Sequence, residues 1–489
     1  MDDLSKPDLK KNFIYRLIYE ILLYAIPVIA LPYVSRVIGA DGVGEYSYTY
    51  SVISYFMMFG ALGTVSYGTR EIARKRDDKA AYTKAFFEIE LLSVFICLLC
   101  LLLWIALILY SVKYRLLFLA LTPFLIGTML DISWFYVGLE RIGTLTLTGM
   151  SVRIAGLVLL FALVRSKEDL VTYCLINSVT LLGANLAMWI ALPKYLGRTD
   201  LKGLRFRHHF RESLVYFVPT IAVSIYLVLD KTLIGLITED PYQNGYYEQA
   251  SRITGIAKSL AFVIYNTVAT ARLSYLFAEE KYDEAKDRIR SSLDFILLLS
   301  FGSAFGLLGI AKTFVPVFLG DGYEPVTYLL YLMLPLIPVI AVSNCLGSLY
   351  YVPAGKRGKS AGYIVAGAVL NLLLNLCLIP FLGATGAVIA SLAAEFVITV
   401  LYVKNCDGFL QARAIGAFSV KRILAGLFMA LAVYLLAYLP IPRIFVLFVQ
   451  IPAGAVLYVL LLYVSGDGLV RDLTRRISTQ IGLRSKDEE

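Results

Sequence analysis

Leu91-Leu92-Ser93-Val94-Phe95-Ile96-Cys97-Leu98-Leu99-Cys100-Leu101-Leu102-Leu103-Trp104-Ile105-Ala106-Leu107-Ile108-Leu109-Tyr110 decides the fold class. As a helix rising about 1.5 Å per residue, this uncharged run is long enough to cross a hydrocarbon layer about 30 Å thick. The run is not isolated. Hydrophobic residues make up 59% of the 489-residue chain, charged residues 17%, and mean hydropathy is +0.73. Those values lie outside the soluble range. Working outward from this run predicts an all-α polytopic membrane protein with about 14 spans. They fall near 13–38, 43–69, 82–110, 115–139, 144–164, 170–193, 212–237, 244–272, 291–317, 325–352, 358–380, 384–404, 420–439 and 443–465. The first run is too long for a cleavable signal, and no small-residue cleavage site precedes Pro27.

Basic residues orient the chain. With the N-terminus inside, the segments 1–16, 70–84, 140–141, 194–211, 272–290, 356–359, 404–422 and 466–489 are cytoplasmic and hold 34 of the 45 Lys and Arg. Seven lie outside or at outer helix ends (Arg36, Lys113, Arg115, Arg165, Lys167, Lys312, Arg443), and four lie within spans. This asymmetry places both termini in the cytoplasm. The net charge of +9 is then a topology signal, and no soluble basic face exists to bind nucleic acid. The Cys97-x-x-Cys100 pair sits inside an apolar run and reads as core filling rather than a redox or metal motif. His208-His209 reads as a solvated pair in a basic loop. No metal site is expected.

Outer connections are short, so no outer domain is expected and any chemistry belongs inside the bundle. Two internal echoes suggest duplication. Tyr24-Ala25-Ile26-Pro27 resembles Tyr216-Phe217-Val218-Pro219, and Phe135-Tyr136-Val137-Gly138-Leu139-Glu140-Arg141 resembles Tyr350-Tyr351-Val352-Pro353-Ala354-Gly355-Lys356. Both are six spans apart, which implies a parallel repeat with a transport path between two six-helix bundles. The expected organisation is 1–193 as the first bundle, 194–211 as a cytoplasmic linker, 212–404 as the second bundle, and 405–489 as two extra helices with a cytoplasmic tail.

Charge inside a span is expensive and points either to a wet cavity or to an ion pair between helices. Arg36 and Glu45 flank the outer end of the first two spans. Asp230, Lys231, Glu248 and Arg252 occupy the matching depth of the seventh and eighth. On the repeat, these sets are expected to face one another. Asp131 and Arg153 lie deeper and are placed to pair. Lys258 and Glu395 sit too deep to face lipid, whereas Asp294 and Arg70 near the cytoplasmic surface read as structural. Several cations among carboxylates suit a phosphate-bearing substrate, because arginine grips phosphate oxygens with a planar, permanently charged fork. Of the 34 tyrosines, most suit interfacial belts, and a minority could stack on sugar rings.

Three ordered stretches carry a resemblance. They are Ser35-Arg36-Val37-Ile38-Gly39-Ala40-Asp41-Gly42-Val43-Gly44-Glu45-Tyr46-Ser47 continuing to Tyr67-Gly68-Thr69-Arg70-Glu71-Ile72-Ala73, then Trp134 to Arg141, then Val352-Pro353-Ala354-Gly355-Lys356 through Asn371, Asn375, Ile379-Pro380 and Gly386-Ala387 to Glu395. Their order and spacing resemble the polysaccharide (O-antigen-type, Wzx-like) flippases of the multidrug/oligosaccharidyl-lipid/polysaccharide exporter superfamily. The resemblance implies two six-helix bundles around a central cavity and alternating access. It also implies a bacterial inner-membrane location and an undecaprenyl-pyrophosphate-linked oligosaccharide as substrate, flipped from the cytoplasmic to the outer leaflet for surface polysaccharide.

On that resemblance Arg252, Arg36 and Arg153, with Lys231 and Lys258, are the expected substrate cations. Glu45, Asp131, Asp230, Glu248 and Glu395 are the coupling or gating candidates. No cofactor is implied beyond H+ or Na+ coupling, and no catalytic residue is expected. The implied partners are membrane lipid, the lipid-linked oligosaccharide, and a polymerase or other polysaccharide-assembly proteins around a monomer. The stretch Tyr246-Tyr247 to Arg252 also looks like the eighth helix of the lipid II flippases, which ranks that substrate second. A cation-coupled drug exporter is the other alternative. A polymerase or ligase is disfavoured by the short outer loops, and a scaffold would tolerate loss of every cavity charge.

Overall fold

A computed structural model describes residues 9–200 and 203–480, and these contain helices and no strands. The chain forms two compact units, Met1–Gly245 and Tyr246–Glu489. The first holds α1 (Leu9–Ala61), α2 (Thr64–Lys75), α3 (Lys79–Tyr110), α4 (Arg115–Met129), α5 (Ser133–Gly138), α6 (Ile142–Leu163), α7 (Leu170–Ala191) and α8 (Phe206–Thr238). Helix α9 (Pro241–Ala278) begins in the first unit and continues into the second. The second unit goes on with α10 (Tyr282–Leu319), α11 (Glu324–Met333), α12 (Leu336–Leu346), α13 (Arg357–Leu382), α14 (Ala384–Lys404), α15 (Ala412–Leu436), α16 (Arg443–Val464) and α17 (Gly468–Gln480).

An all-helical chain is what a bilayer demands, since each helix satisfies its own backbone polar groups. Leu102, Leu103, Leu109, Phe381, Phe428 and Val456 stand exposed on the helix surfaces. In water such a surface would be untenable, and in a membrane it faces acyl chains. Nine helical segments among the described residues are long and apolar enough to cross, or ten with the bent pair Glu324–Met333 and Leu336–Tyr351. The expected 14 is larger partly because Ala25–Lys75 counts once in that tally although the sequence reading divides it in two.

Local sequence explains the breaks. Gly39 (φ 79, ψ 172) interrupts α1 with a conformation that only glycine adopts without strain. Leu62 and Gly63, both left-handed, turn the chain out of α1 into α2. The Asp78 side chain caps α3 by accepting from the Ala80 and Ala81 amides at 2.9 and 3.0 Å. Asp131 accepts from the Ser133 amide at 2.9 Å in the turn between α4 and α5, where the expected fourth span breaks.

The two sequence echoes differ in what the structure shows of them. For the second, the Arg141 amide donates to the Tyr136 carbonyl at 2.8 Å, and the Lys356 amide to the Tyr351 carbonyl at 2.8 Å. Glu140 and Gly355 both take positive φ one residue earlier. The Tyr136 hydroxyl donates to the Met188 carbonyl and the Tyr351 hydroxyl to the Tyr402 carbonyl. The same helix end is thus built twice and anchored twice on a later helix, as a parallel repeat requires. For the first echo, Val218 and Pro219 fall outside the described side chains.

The boundary of compactness differs from the expected linker. Helix α8, the seventh predicted span, packs on α1, α2 and α3, so it lies with the first unit. Among the described residues, the first unit has apolar cores around Trp104, Phe118 and Leu121 and around Phe86, Trp134 and Phe135. The second has a long core from Leu273 through Ile296, Cys345 and Tyr402 to Leu462, and a small one around Ala304 and Ile337.

Candidate functional site

Within the first unit, α1 beyond the Gly39 break packs along α8 and the start of α9 through a polar seam. Tyr55 Oη lies 3.0 Å from Thr232 Oγ1, which donates to Ser51 Oγ at 2.8 Å, and Ser51 donates to the Tyr48 carbonyl at 2.7 Å. Farther along, the backbones touch. A Cβ built on Gly44 would lie 1.8 Å from the Pro241 carbonyl oxygen, and one on Gly245 would lie 2.0 Å from that of Ala40. Small residues let membrane helices approach this closely. The predicted charges Arg36, Glu45, Asp230 and Lys231 all sit along this stretch of α1 and α8. Arg36 is exposed, Glu45 and Lys231 are half-buried, and Asp230 is buried. Lys113 and Asp41 both act electrostatically on Glu45. Asn244 holds the turn into α9 by donating to the Lys231 carbonyl at 2.9 Å.

Deeper in the same unit is a cavity of about 210 Å³, lined by Asp131, Arg153, Ser133, Thr128 and Asn185 among others. The sequence places Asp131 and Arg153 to pair. The structure brings both to the cavity wall, but no ion pair joins them. Asp131 accepts from the Ser133 amide, and both side chains line the cavity. Asn185 donates to the Gly127 carbonyl at 2.7 Å, which ties α7 to α4 beside the cavity.

In the second unit the pair at the start of α9 forms within one helical turn. Arg252 Nε lies 2.5 Å from Glu248 Oε1, with 5% of the Glu248 and 35% of the Arg252 side-chain surface exposed. The carboxylate is therefore buried against the arginine. Lys258, under two turns beyond Arg252 on α9, is in electrostatic reach of Glu395 on α14.

Three sequence readings need comment. His209 is not solvated: it is 1% exposed in the first turn of α8. Its Nε2 lies 2.8 Å from Glu88 Oε2 and its Nδ1 2.7 Å from the Tyr67 hydroxyl. Burial holds the imidazole below its ordinary value, against the opposing pull of Glu88. A neutral ring that donates to Glu88 and accepts from Tyr67 satisfies both nitrogens. The helix begins earlier than the apolar run, and that is why the loop reading failed. Asp294, read as structural, does pair: it takes Arg422, which is not among the predicted site residues. Glu90, inside the predicted span 82–110, is a buried carboxylate that is not among the predicted site residues.

Comparison with known proteins adds the following. A family model described as polysaccharide biosynthesis protein matches residues 9–276. An Escherichia coli (strain K12) protein assigned to O-antigen transport is 24% identical over 411 residues, covering 82% of this chain and 98% of that protein. A Haloferax volcanii protein assigned as a low-salt glycan biosynthesis flippase is 24% identical over 44% of this chain and 46% of its own length. Among solved structures, the lipid II flippase MurJ in an inward closed conformation superposes with a TM-score of 0.70 at 15% identity, covering 93% of this chain and all of that one. An inward-facing multidrug resistance MATE family transporter of the MOP superfamily gives 0.55 at 14% identity, covering 81% and 99%. These likenesses show that the fold is shared.

Proposed function

The chain belongs to the polysaccharide biosynthesis protein family, and from that premise we propose that it flips a lipid-linked oligosaccharide across the bacterial cytoplasmic membrane by alternating access. The observation that carries this reading is the match to a protein assigned to O-antigen transport over 98% of that protein's length. The substrate is an undecaprenyl-pyrophosphate-linked repeat unit, moved from the cytoplasmic to the outer leaflet, with both termini inside as the basic segments indicate. A sugar chain cannot cross hydrocarbon unaided, because each unpaired hydroxyl costs a few kcal/mol. Arg36, Arg153, Lys231, Lys258 and Arg252 supply positive charge for the pyrophosphate. An inside-negative potential favours its outward passage by about 2.3 kcal/mol per charge per 100 mV. H+ or Na+ coupling through Glu45, Asp131, Asp230, Glu248 or Glu395 would reset the empty carrier.

Purified protein in liposomes tests the substrate directly. Translocation of lipid-linked oligosaccharide is expected, read by accessibility of the glycan to an external glycosidase. Movement of lipid II alone, or efflux of a cationic dye without either lipid, would replace this reading with one of the two sibling activities.

The Gly44 seam is proposed as a closure at the outer end of the path. Gly44→Ala and Gly245→Ala each place a methyl group against a backbone carbonyl that cannot rotate aside. Overpacking of this kind costs about 1–3 kcal/mol, so export of surface polysaccharide should fall about five- to hundredfold at unchanged protein level. Full export from both variants would remove the seam from the transport cycle.

A further inference from the structure

The first unit contains a carboxyl group for which neither the fold nor the comparisons account. Glu90, on α3, is 4% exposed, and neither of its carboxylate oxygens has a hydrogen-bond partner among the described residues. An ionised carboxylate buried without a partner carries a desolvation cost that proteins avoid by pairing it, giving it a cation, or keeping it protonated. Pairing is absent. The charged group that acts on it is another carboxylate, Asp131, from the turn between α4 and α5. A second carboxylate in electrostatic reach does nothing to offset the cost of a charge on Glu90.

The surroundings complete the arrangement. Cys97, two turns along α3, is 1% exposed. Glu88, two residues earlier, is turned to His209 on α8 and to the Arg205 amide. Asp131 and Arg153 both line the polar cavity of about 210 Å³, a volume that holds several waters.

We propose that Glu90 is a proton-binding site of the transport cycle. In the loaded form the Glu90 O–H bond is intact. Unloading breaks that O–H bond, the proton passes to water, and Glu90 is left as a carboxylate. No oxidant or reductant is involved. The role in transport rests on the flippase reading, whereas the presence of an exchangeable proton does not.

Two measurements separate these. Wild-type protein in lipid nanodiscs is titrated by infrared spectroscopy, and carboxyl modification by dicyclohexylcarbodiimide is mapped by mass spectrometry. A protonated-carboxyl band that titrates with pH and disappears in Glu90→Gln, with a carbodiimide adduct on Glu90, is expected. Glu90→Asp, which keeps the carboxyl, should regain the band and controls for misfolding. In proteoliposomes carrying lipid-linked oligosaccharide, Glu90→Gln should lose the acceleration produced by an imposed proton gradient and fall to the rate of vesicles without one. A band that Glu90→Gln leaves intact, or one that never titrates, overturns the site. An unchanged gradient response in Glu90→Gln overturns its role in the cycle. If wild-type protein moves no oligosaccharide at all, the flippase reading fails while the infrared result still judges the proton site.

Discussion

Arg422→Ala is expected to destabilise the second unit by about 3–5 kcal/mol, the cost of removing one partner from a buried ion cluster. Arg422 is 1% exposed and holds three elements at once. Its guanidinium donates to the Asp294 side chain at 2.5 Å and the Asp294 carbonyl at 2.6 Å on α10, and to Asp467 at 3.2 Å at the junction of α16 and α17. Asp467 also accepts from the Val470 amide at 3.2 Å and so starts α17. Truncation leaves two carboxylates with no cation between them, where α15 meets α10 and α16. The measurement is the melting temperature of detergent-purified protein, followed by size-exclusion profile. Arg422→Lys should recover only part of the loss, because an ammonium cannot reach both carboxylates with a planar fork. A melting temperature unchanged by Arg422→Ala would mean that water already solvates the cluster.

That cluster marks the limit of what the sequence discloses. The spans were legible because hydrocarbon thickness fixes the length of each apolar run, as Leu91 to Tyr110 shows within α3. The repeat was legible where it is built by backbone geometry, at Tyr136 to Arg141 and Tyr351 to Lys356. Side-chain partnerships were harder. Arg422 meets Asp294 across 128 positions and Asp467 across 45, and no periodicity links them. Glu248 and Arg252 were legible as a pair because one helical turn separates them. Asp131 and Arg153 show the opposite case: equal depth brings both to one cavity wall without making a pair, and Asp131 accepts from the Ser133 amide. Gly44 and Gly245 carry no signal of their own, and only the approach of α1 to α9 shows why neither can bear a side chain.

The Glu248–Arg252 pair sets up the prediction with the largest functional effect. Arg252→Ala is expected to abolish export of surface polysaccharide at normal protein level, and Arg252→Lys to retain part of it. Two causes would give the first result. The alanine variant removes the cation from beside Glu248, a buried carboxylate, and that alone disfavours the fold. The same variant removes a guanidinium from a phosphate. A double-mutant cycle separates the causes. Glu248→Gln relieves the unpaired charge, so export returns in Arg252→Ala/Glu248→Gln if the arginine is only a tie within α9. If Arg252 holds phosphate, the double variant stays about ten- to hundredfold below wild type, the loss of a charged hydrogen bond worth about 1.5–3 kcal/mol. The second result is expected, because the carboxylate engages Nε and the arginine keeps 35% of its side-chain surface open. Wild-type export from the double variant would assign Arg252 to the architecture of α9 and leave the phosphate to Arg36 and Arg153.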